Sequence, residues 1–174
     1  MTYITAGLMV TMVAIAVYTD VRVGKIFNWL TAPCALLGLI LNTVYGGWDG
    51  LQLSLAGIGV GFGVFIFSLL FGRLLGGGDI KLLIAVGAIT GPIFLLWTLV
   101  YMALCGGVLA VVVAMWRGDL IASLKRLTSG LWMRMVAKVP LDIADAKPKA
   151  RLPYAIPIAL GSVITLVITS LQGF

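Results

Sequence analysis

The stretch LLIAVGAITGPIFLLWTLVYMALCGGVLAVVVAMW, residues 82–116, contains no charged side chain. At ~1.5 Å per residue a single helix over it would be about 50 Å long, well beyond the ~30 Å hydrocarbon core of a bilayer. Gly91 and Pro92 supply the break, since proline cannot continue a helix it does not begin. Two apolar pieces result, 80–90 and 92–116. Working outward, charged and turn residues delimit four more apolar runs at 2–19, 29–46, 51–72 and 153–172. Most come close to the ~20 residues a spanning helix needs.

Composition agrees with that reading. Hydrophobic residues make up 61% of the 174 residues, charged residues 10%, and the mean hydropathy is +1.15. A soluble domain is nearer half apolar and a quarter charged. In lipid every backbone polar group needs an internal partner, and apolar runs of this length without alternation exclude a β-barrel. The expectation is an all-α membrane protein, a bundle of about six transmembrane helices forming a single domain over 1–174. The first run lacks a basic leader and a small-residue cleavage site, so it reads as a retained helix rather than a signal peptide.

Charge sets the orientation. With the first two helices joined inside, Arg22, Lys25, Arg73, Lys81 and every basic residue of 117–151 face the cytoplasm, which accounts for all twelve Lys and Arg. Both termini then lie outside. The loops GGWDG at 46–50 and TGP at 90–92 carry no basic residue. The net charge of +6 reflects this topology and attraction to anionic lipid rather than nucleic-acid binding, because no folded basic domain lies outside the membrane. In 117–151, Leu120, Leu124, Leu127, Leu131, Met135 and Val139 recur at helical intervals between basic residues, which predicts an amphipathic helix on the cytoplasmic leaflet. Pro148 and Pro153 bracket its exit into the last span. Gly57, Gly59, Gly61 and Gly63 form two interleaved Gly-x-x-x-Gly pairs and predict close helix packing. Cys34 and Cys105 are isolated and the chain has no histidine, so no disulfide framework, metal site or cofactor is expected.

The acidic side chains are six aspartates and no glutamate. Asp49 falls in an outside turn, and Asp119, Asp142 and Asp145 fall in the basic loop. Asp20 and Asp79 each sit at the cytoplasmic end of an apolar run, where an ionisable group is a functional candidate. Asp79 follows Gly76, Gly77 and Gly78, a run that weakens helix structure and lets a backbone approach closely. The apolar piece after it covers only ~20 Å, which places Asp79 below the lipid surface. Two carboxylates together in a poorly solvated place would share one proton, the state that activates water against a peptide carbonyl. From spacing alone, two unrelated boundary aspartates paired with Arg22, Lys25 or Lys81 explain the sequence equally well. Paired membrane aspartates also serve transporters as ion or proton relays, and a non-catalytic assembly subunit would need neither.

The surroundings of both aspartates resemble the type IV prepilin peptidase family, whose catalytic aspartates lie in an Asp-x-Arg segment after one helix and a Gly-x-Gly-Asp motif after another. YTDVRVGKIFNWLT at 18–31 is similar to the first, with Phe27 where the family commonly has proline; GGGDIKLL at 76–83 matches the second; and RLPYAIPIALG at 151–161 looks like the family's last helix. The resemblance implies an aspartic endopeptidase of the inner membrane with Asp20 and Asp79 as the catalytic dyad. It would remove the short basic leader of a prepilin- or pseudopilin-like substrate at the cytoplasmic face. Gly76 and Gly78 would shape the backbone beside the scissile bond. Lys81, Arg22, Lys25 and Asn28 are candidate substrate contacts, the basic ones equally readable as positive-inside anchors and Asn28 as a helix cap. Many family members add a methyltransferase activity and an N-terminal segment with paired Cys-x-x-Cys motifs; their absence here makes methylation unexpected and points to the compact peptidases of Flp-type, tight-adherence pili, with archaeal preflagellin peptidases as near relatives.

Overall fold

The computed structural model describes residues 3–70, 75–116 and 154–172, and the described elements are all helical. In chain order they are α1 (Tyr3–Val23), α2 (Asn28–Leu70), α3 (Gly77–Thr90), α4 (Pro92–Trp116) and α5 (Ala155–Gln172). The amphipathic helix expected within 117–151, and Pro148 and Pro153, lie outside the described residues. The chain gathers into two compact units, Met1–Cys105 with Pro153–Phe174, and Gly106–Leu152. The described part of the second unit is the end of α4, residues 106–116.

α2 is not one straight rod. Gly47 has φ 58° and ψ −134°, a conformation in effect reserved for glycine, and it divides α2 into two arms within the GGWDG segment. The arms double back on each other: Asn42 Nδ2 donates to Ser54 Oγ at 2.9 Å across the bend. The second break falls at Gly91, φ 89° and ψ 175°, whose N–H closes α3 on the Gly87 carbonyl at 2.8 Å. Pro92 then opens α4 at the first helical position, where its missing N–H is no loss.

The shortest helix is the central one. On α3, Leu82, Leu83, Val86 and Ala88 are fully buried, and Ile80, Ala85 and Ile89 nearly so. Met9, Met12, Val13 and Ala16 of α1, Leu30 of α2, Phe94, Leu95 and Met102 of α4 and Ile158 of α5 complete that core. Both arms of α2 flank α3. Gly38 of the first arm lies against Ile89, whereas Gly57 and Gly61 of the second lie against Gly87 and Ile84, so the first arm runs with α3 and the second against it. Of the four glycines expected to pack, only Gly57 and Gly61 meet a neighbour; Gly59 and Gly63 have open space where a Cβ would go.

Because protein surrounds α3, its ~20 Å length need not match a bilayer's thickness. The other faces do meet the surroundings: Leu36, Ile40 and Val44 on α2, and Leu96, Val100 and Leu104 on α4, are exposed. Tyr3–Val23, Asn28–Leu70 and Pro92–Val113 are long and apolar enough to cross a membrane, and Ala155–Leu171 is a shorter apolar helix. Exposed aliphatic faces on such helices suit lipid, not water.

Candidate active site

Two helix ends differ from their expected positions, and both differences bear on the aspartates. α1 continues to Val23, so Asp20 and Arg22 lie within its last turns rather than after it. Gly24 ends that helix, its N–H donating to the Asp20 carbonyl at 2.8 Å. α3 begins at Gly77, so Asp79 is its third residue and Gly77 and Gly78 are helical despite the expected weakening. The first N–H groups of a helix have no intrahelical partner, so glycines there forfeit less than they would mid-helix.

Asp79 supplies the local compensation. Gly76 is extended, φ −67° and ψ 150°, and its carbonyl accepts the first bond of α3, from Ile80 N–H at 3.2 Å. The Asp79 side chain reaches back one turn, its Oδ2 accepting the Gly76 N–H at 3.1 Å. This is the carboxylate half of a capping box, and it places a negative group at the positive end of the helix dipole. Just upstream, the Leu75 N–H donates to the buried Ser68 Oγ at 3.1 Å, tying the chain before Gly76 to the second arm of α2.

Asp20 is held by a different helix. Its Oδ2 accepts the N–H of Ala155, the first residue of α5, at 3.2 Å. The structure therefore brings α1, α3 and α5 together at one end and anchors each carboxylate through one oxygen on a helix N-terminus. Asp79 is 8% exposed and Asp20 half-buried. The Asp20 carboxylate is near enough to act coulombically on Asp79. Burial of Asp79 and the like charge of Asp20 therefore act on the same end of α3.

The two glycines of the motif have distinct reasons. A Cβ on Gly76 would stand 2.8 Å from Asp79 Oδ2, so a side chain there would require the carboxylate to shift from its present place. A Cβ on Gly78 would meet Ile26 Cβ at 3.1 Å, in the connector between α1 and α2. That connector is pinned from the other side by Lys81, whose Nζ donates to Asn28 Oδ1 at 2.9 Å. Asn28 is thus not the cap of α2. It is the first helical residue, and the Phe27 carbonyl opens the helix by accepting Leu30 N–H at 3.2 Å and Thr31 N–H at 3.4 Å. The Phe27 ring lies tilted against that of Trp29, their centroids 6.3 Å apart.

The remaining candidates stand at the rim. Arg22 places its guanidinium 5.4 Å from the centre of the Tyr18 ring, a cation–π contact, and Lys25 is exposed beside Gly24. Cys34 and Cys105 are free thiols. Among the described residues no group of three or more metal-ligating side chains is assembled. The Ala155 amide was missed by sequence reasoning, because a backbone donor leaves no residue signature; the segment RLPYAIPIALG pointed only to the helix that carries it.

No curated protein and no solved structure matches the chain. The sequence profile of the type IV leader peptidase family matches residues 7–111, more than half of the protein and a span that includes both aspartates, the bent α2 and all of α3. With its apolar, lipid-suited helices, the chain is an integral membrane protein that belongs to the type IV leader peptidase family.

Proposed function

We propose that the protein is an aspartic endopeptidase whose dyad is Asp20 and Asp79, and that it removes the short basic leader of a prepilin- or pseudopilin-like membrane protein. The observation that carries this reading is the convergence of the two carboxylates, from separate helices, on one end of the buried α3. The ionised member takes a proton from water as the water oxygen bonds to the scissile carbonyl carbon. The protonated member hydrogen-bonds the carbonyl oxygen and gives up its proton as the tetrahedral centre forms. Collapse of that centre breaks the C–N bond: the leaving amine takes a proton from one carboxyl while a hydroxyl of the centre returns its proton to the other carboxylate, which restores the singly protonated pair.

Lys81 donates to Asn28, Arg22 stacks over Tyr18, and Lys25 lies in the connector between α1 and α2, so all three are candidate contacts for a substrate at this end of the bundle. By the positive-inside rule this end faces the cytoplasm of a bacterial inner membrane. Counting the two arms of α2 separately gives six spans with both termini outside. Gly76, exposed beside Asp79, would shape the backbone that an extended substrate approaches, Gly78 would let Ile26 of the connector close on the same turn, and the exposed apolar helices would hold the substrate's own membrane helix. Flp-type prepilins, with archaeal preflagellins as the near alternative, are the substrates this reading proposes. A proton or ion relay would place its carboxylates along a path through the membrane, whereas here both sit at one end of α3, away from Gly91 at the other.

The test is cleavage in liposomes by purified protein, with a prepilin bearing a basic leader and matched Asp20→Asn and Asp79→Asn variants. Cleavage by the wild type and by neither variant is expected. Undiminished cleavage by either variant removes that residue from the dyad, and loss of proton or ion gradients in place of cleavage supports the relay.

A further inference from the structure

The geometry points to the backbone amide of Ala155 as a positioning group for Asp20: the first N–H of α5 fixes the carboxylate through Oδ2. The inference rests on the reading of Asp20 as a member of the dyad. It concerns a part of the chain beyond the 7–111 family match, and a contribution that no side chain makes.

The two carboxylates are not equally supported by their own helices. Asp79 is anchored within three residues of itself, by Gly76, so α3 carries both the acid and its donor. Asp20 lies near the C-terminal end of α1, where the helix presents carbonyls and the negative end of its dipole. Its own helix has no N–H to offer it. The Ala155 N–H, at 3.2 Å from Oδ2, comes instead from an element far along the chain.

That amide is otherwise an orphan. The first helical bond of α5 runs from Ile158 N–H to the Tyr154 carbonyl at 3.3 Å, so Ala155 is at the first helical position and its N–H has no partner inside the helix. Ala155 is fully buried, which removes water as an alternative partner. α5 is in turn held in place along its length: Gly161 packs directly on the backbone of Thr98 and Met102 of α4, and Thr98 Oγ1 approaches Thr165 Oγ1 at 3.5 Å. A rigid helix thus delivers one donor to one acceptor. Misplacing a reacting group by about an ångström costs on the order of 100-fold in rate, so a donor that fixes Asp20 contributes to turnover without touching substrate.

Proline is the substitution that isolates this bond. At the first helical position its φ suits the helix and it removes only the N–H in question. Ala155→Val adds similar bulk and keeps the N–H. In the liposome assay, Ala155→Pro is expected to lower kcat by roughly 10- to 100-fold with KM within about 2-fold of wild type. Ala155→Val should keep most of the wild-type kcat. Equal losses in both variants would assign the effect to packing and overturn the proposal, as would an unchanged kcat in Ala155→Pro.

A second measurement does not depend on catalysis or on the proline variant folding. With 15N-alanine labelling, the Ala155 amide should exchange its hydrogen slowly in the wild type and at least about 10-fold faster in Asp20→Ala, the Ala159 amide of α5 being unchanged. Equal exchange in the two proteins overturns the bond itself, even if Asp20 proves essential. Slow exchange together with undiminished cleavage by Asp20→Asn would instead defeat the dyad reading and leave the bond structural.

Discussion

The Gly76 N–H and the Asp79 carboxylate close on each other at 3.1 Å, and a Cβ on Gly76 would stand 2.8 Å from that same oxygen. The Gly-x-Gly-Asp spacing therefore reflects space as much as backbone freedom. Gly76 has φ −67° and ψ 150°, a region open to any residue, so nothing in its backbone demands glycine.

Gly76→Ala should accordingly fold but turn over slowly. Alanine fits the backbone, while its methyl group moves the Asp79 carboxylate off its anchor. A fall in kcat of roughly 10-fold or more is expected, with thermal stability within about 1 kcal/mol of wild type. Steady-state cleavage and thermal unfolding of the purified variant separate the two. A large loss of stability would show that the glycine serves the fold instead.

At the far end of α3 the polar groups do structural work. Asn42 Nδ2 donates to the Ala88 carbonyl at 3.2 Å and the Ile89 carbonyl at 3.0 Å, and Ser54 Oγ donates to Ala88 at 2.8 Å. These are among the last carbonyls of α3, which have no intrahelical donor and no water. Asn42→Leu should destabilise the protein by about 1–3 kcal/mol. Its surviving folded fraction should cleave at close to the wild-type rate per molecule, since Asp79 lies at the opposite end. Unfolding in detergent together with active-site-normalised kcat checks both halves.

Much of this arrangement was legible in the sequence, and the boundary between legible and hidden follows sequence distance. GGWDG and Gly91–Pro92 announced the two sharp bends because glycine and proline are strong local punctuation, and uncharged runs announced membrane helices. Asp20 and Asp79 stood out because charge is rare in such runs. The partners of Asn42 did not, because a lone polar residue inside the 29–46 run gives no sign of its acceptors, which are backbone carbonyls in another helix. The same holds for Asn28, whose place before a helix suggests a cap while its amide in fact meets Lys81. The extension of α1 past Asp20 was hidden because an ionisable residue reads as the end of an apolar run, although helical hydrogen bonding continues through it to Gly24.

The glycine pairs on the second arm of α2 make opposite predictions. A Cβ on Gly87 would lie 2.5 Å from the Gly57 carbonyl oxygen, and one on Gly57 would collide with the Gly87 carbonyl. Gly59 and Gly63 have nothing within 4 Å. Gly57→Ala and Gly87→Ala should each cost about 1–3 kcal/mol through overpacking of backbone on backbone. Gly59→Ala and Gly63→Ala should stay within about 0.5 kcal/mol of wild type. Thermal unfolding of the four variants in one detergent decides it, and equal effects across the four would show that the second arm does not meet α3 in this register.

The proposed dyad also sets the form of the pH dependence. Only the singly protonated pair has both an acceptor for the proton of water and a donor for the substrate carbonyl. At low pH both carboxyls are protonated and the acceptor is lost; at high pH both are ionised and the donor is lost. The rate should therefore rise and then fall as pH increases, and the two limbs belong to the pair rather than to either residue. Initial cleavage rates in liposomes across the stable pH range measure this, with each sample returned to the optimum to exclude unfolding. A profile with a rising limb alone would mean that one carboxylate suffices, and the partner would then serve only to hold the site.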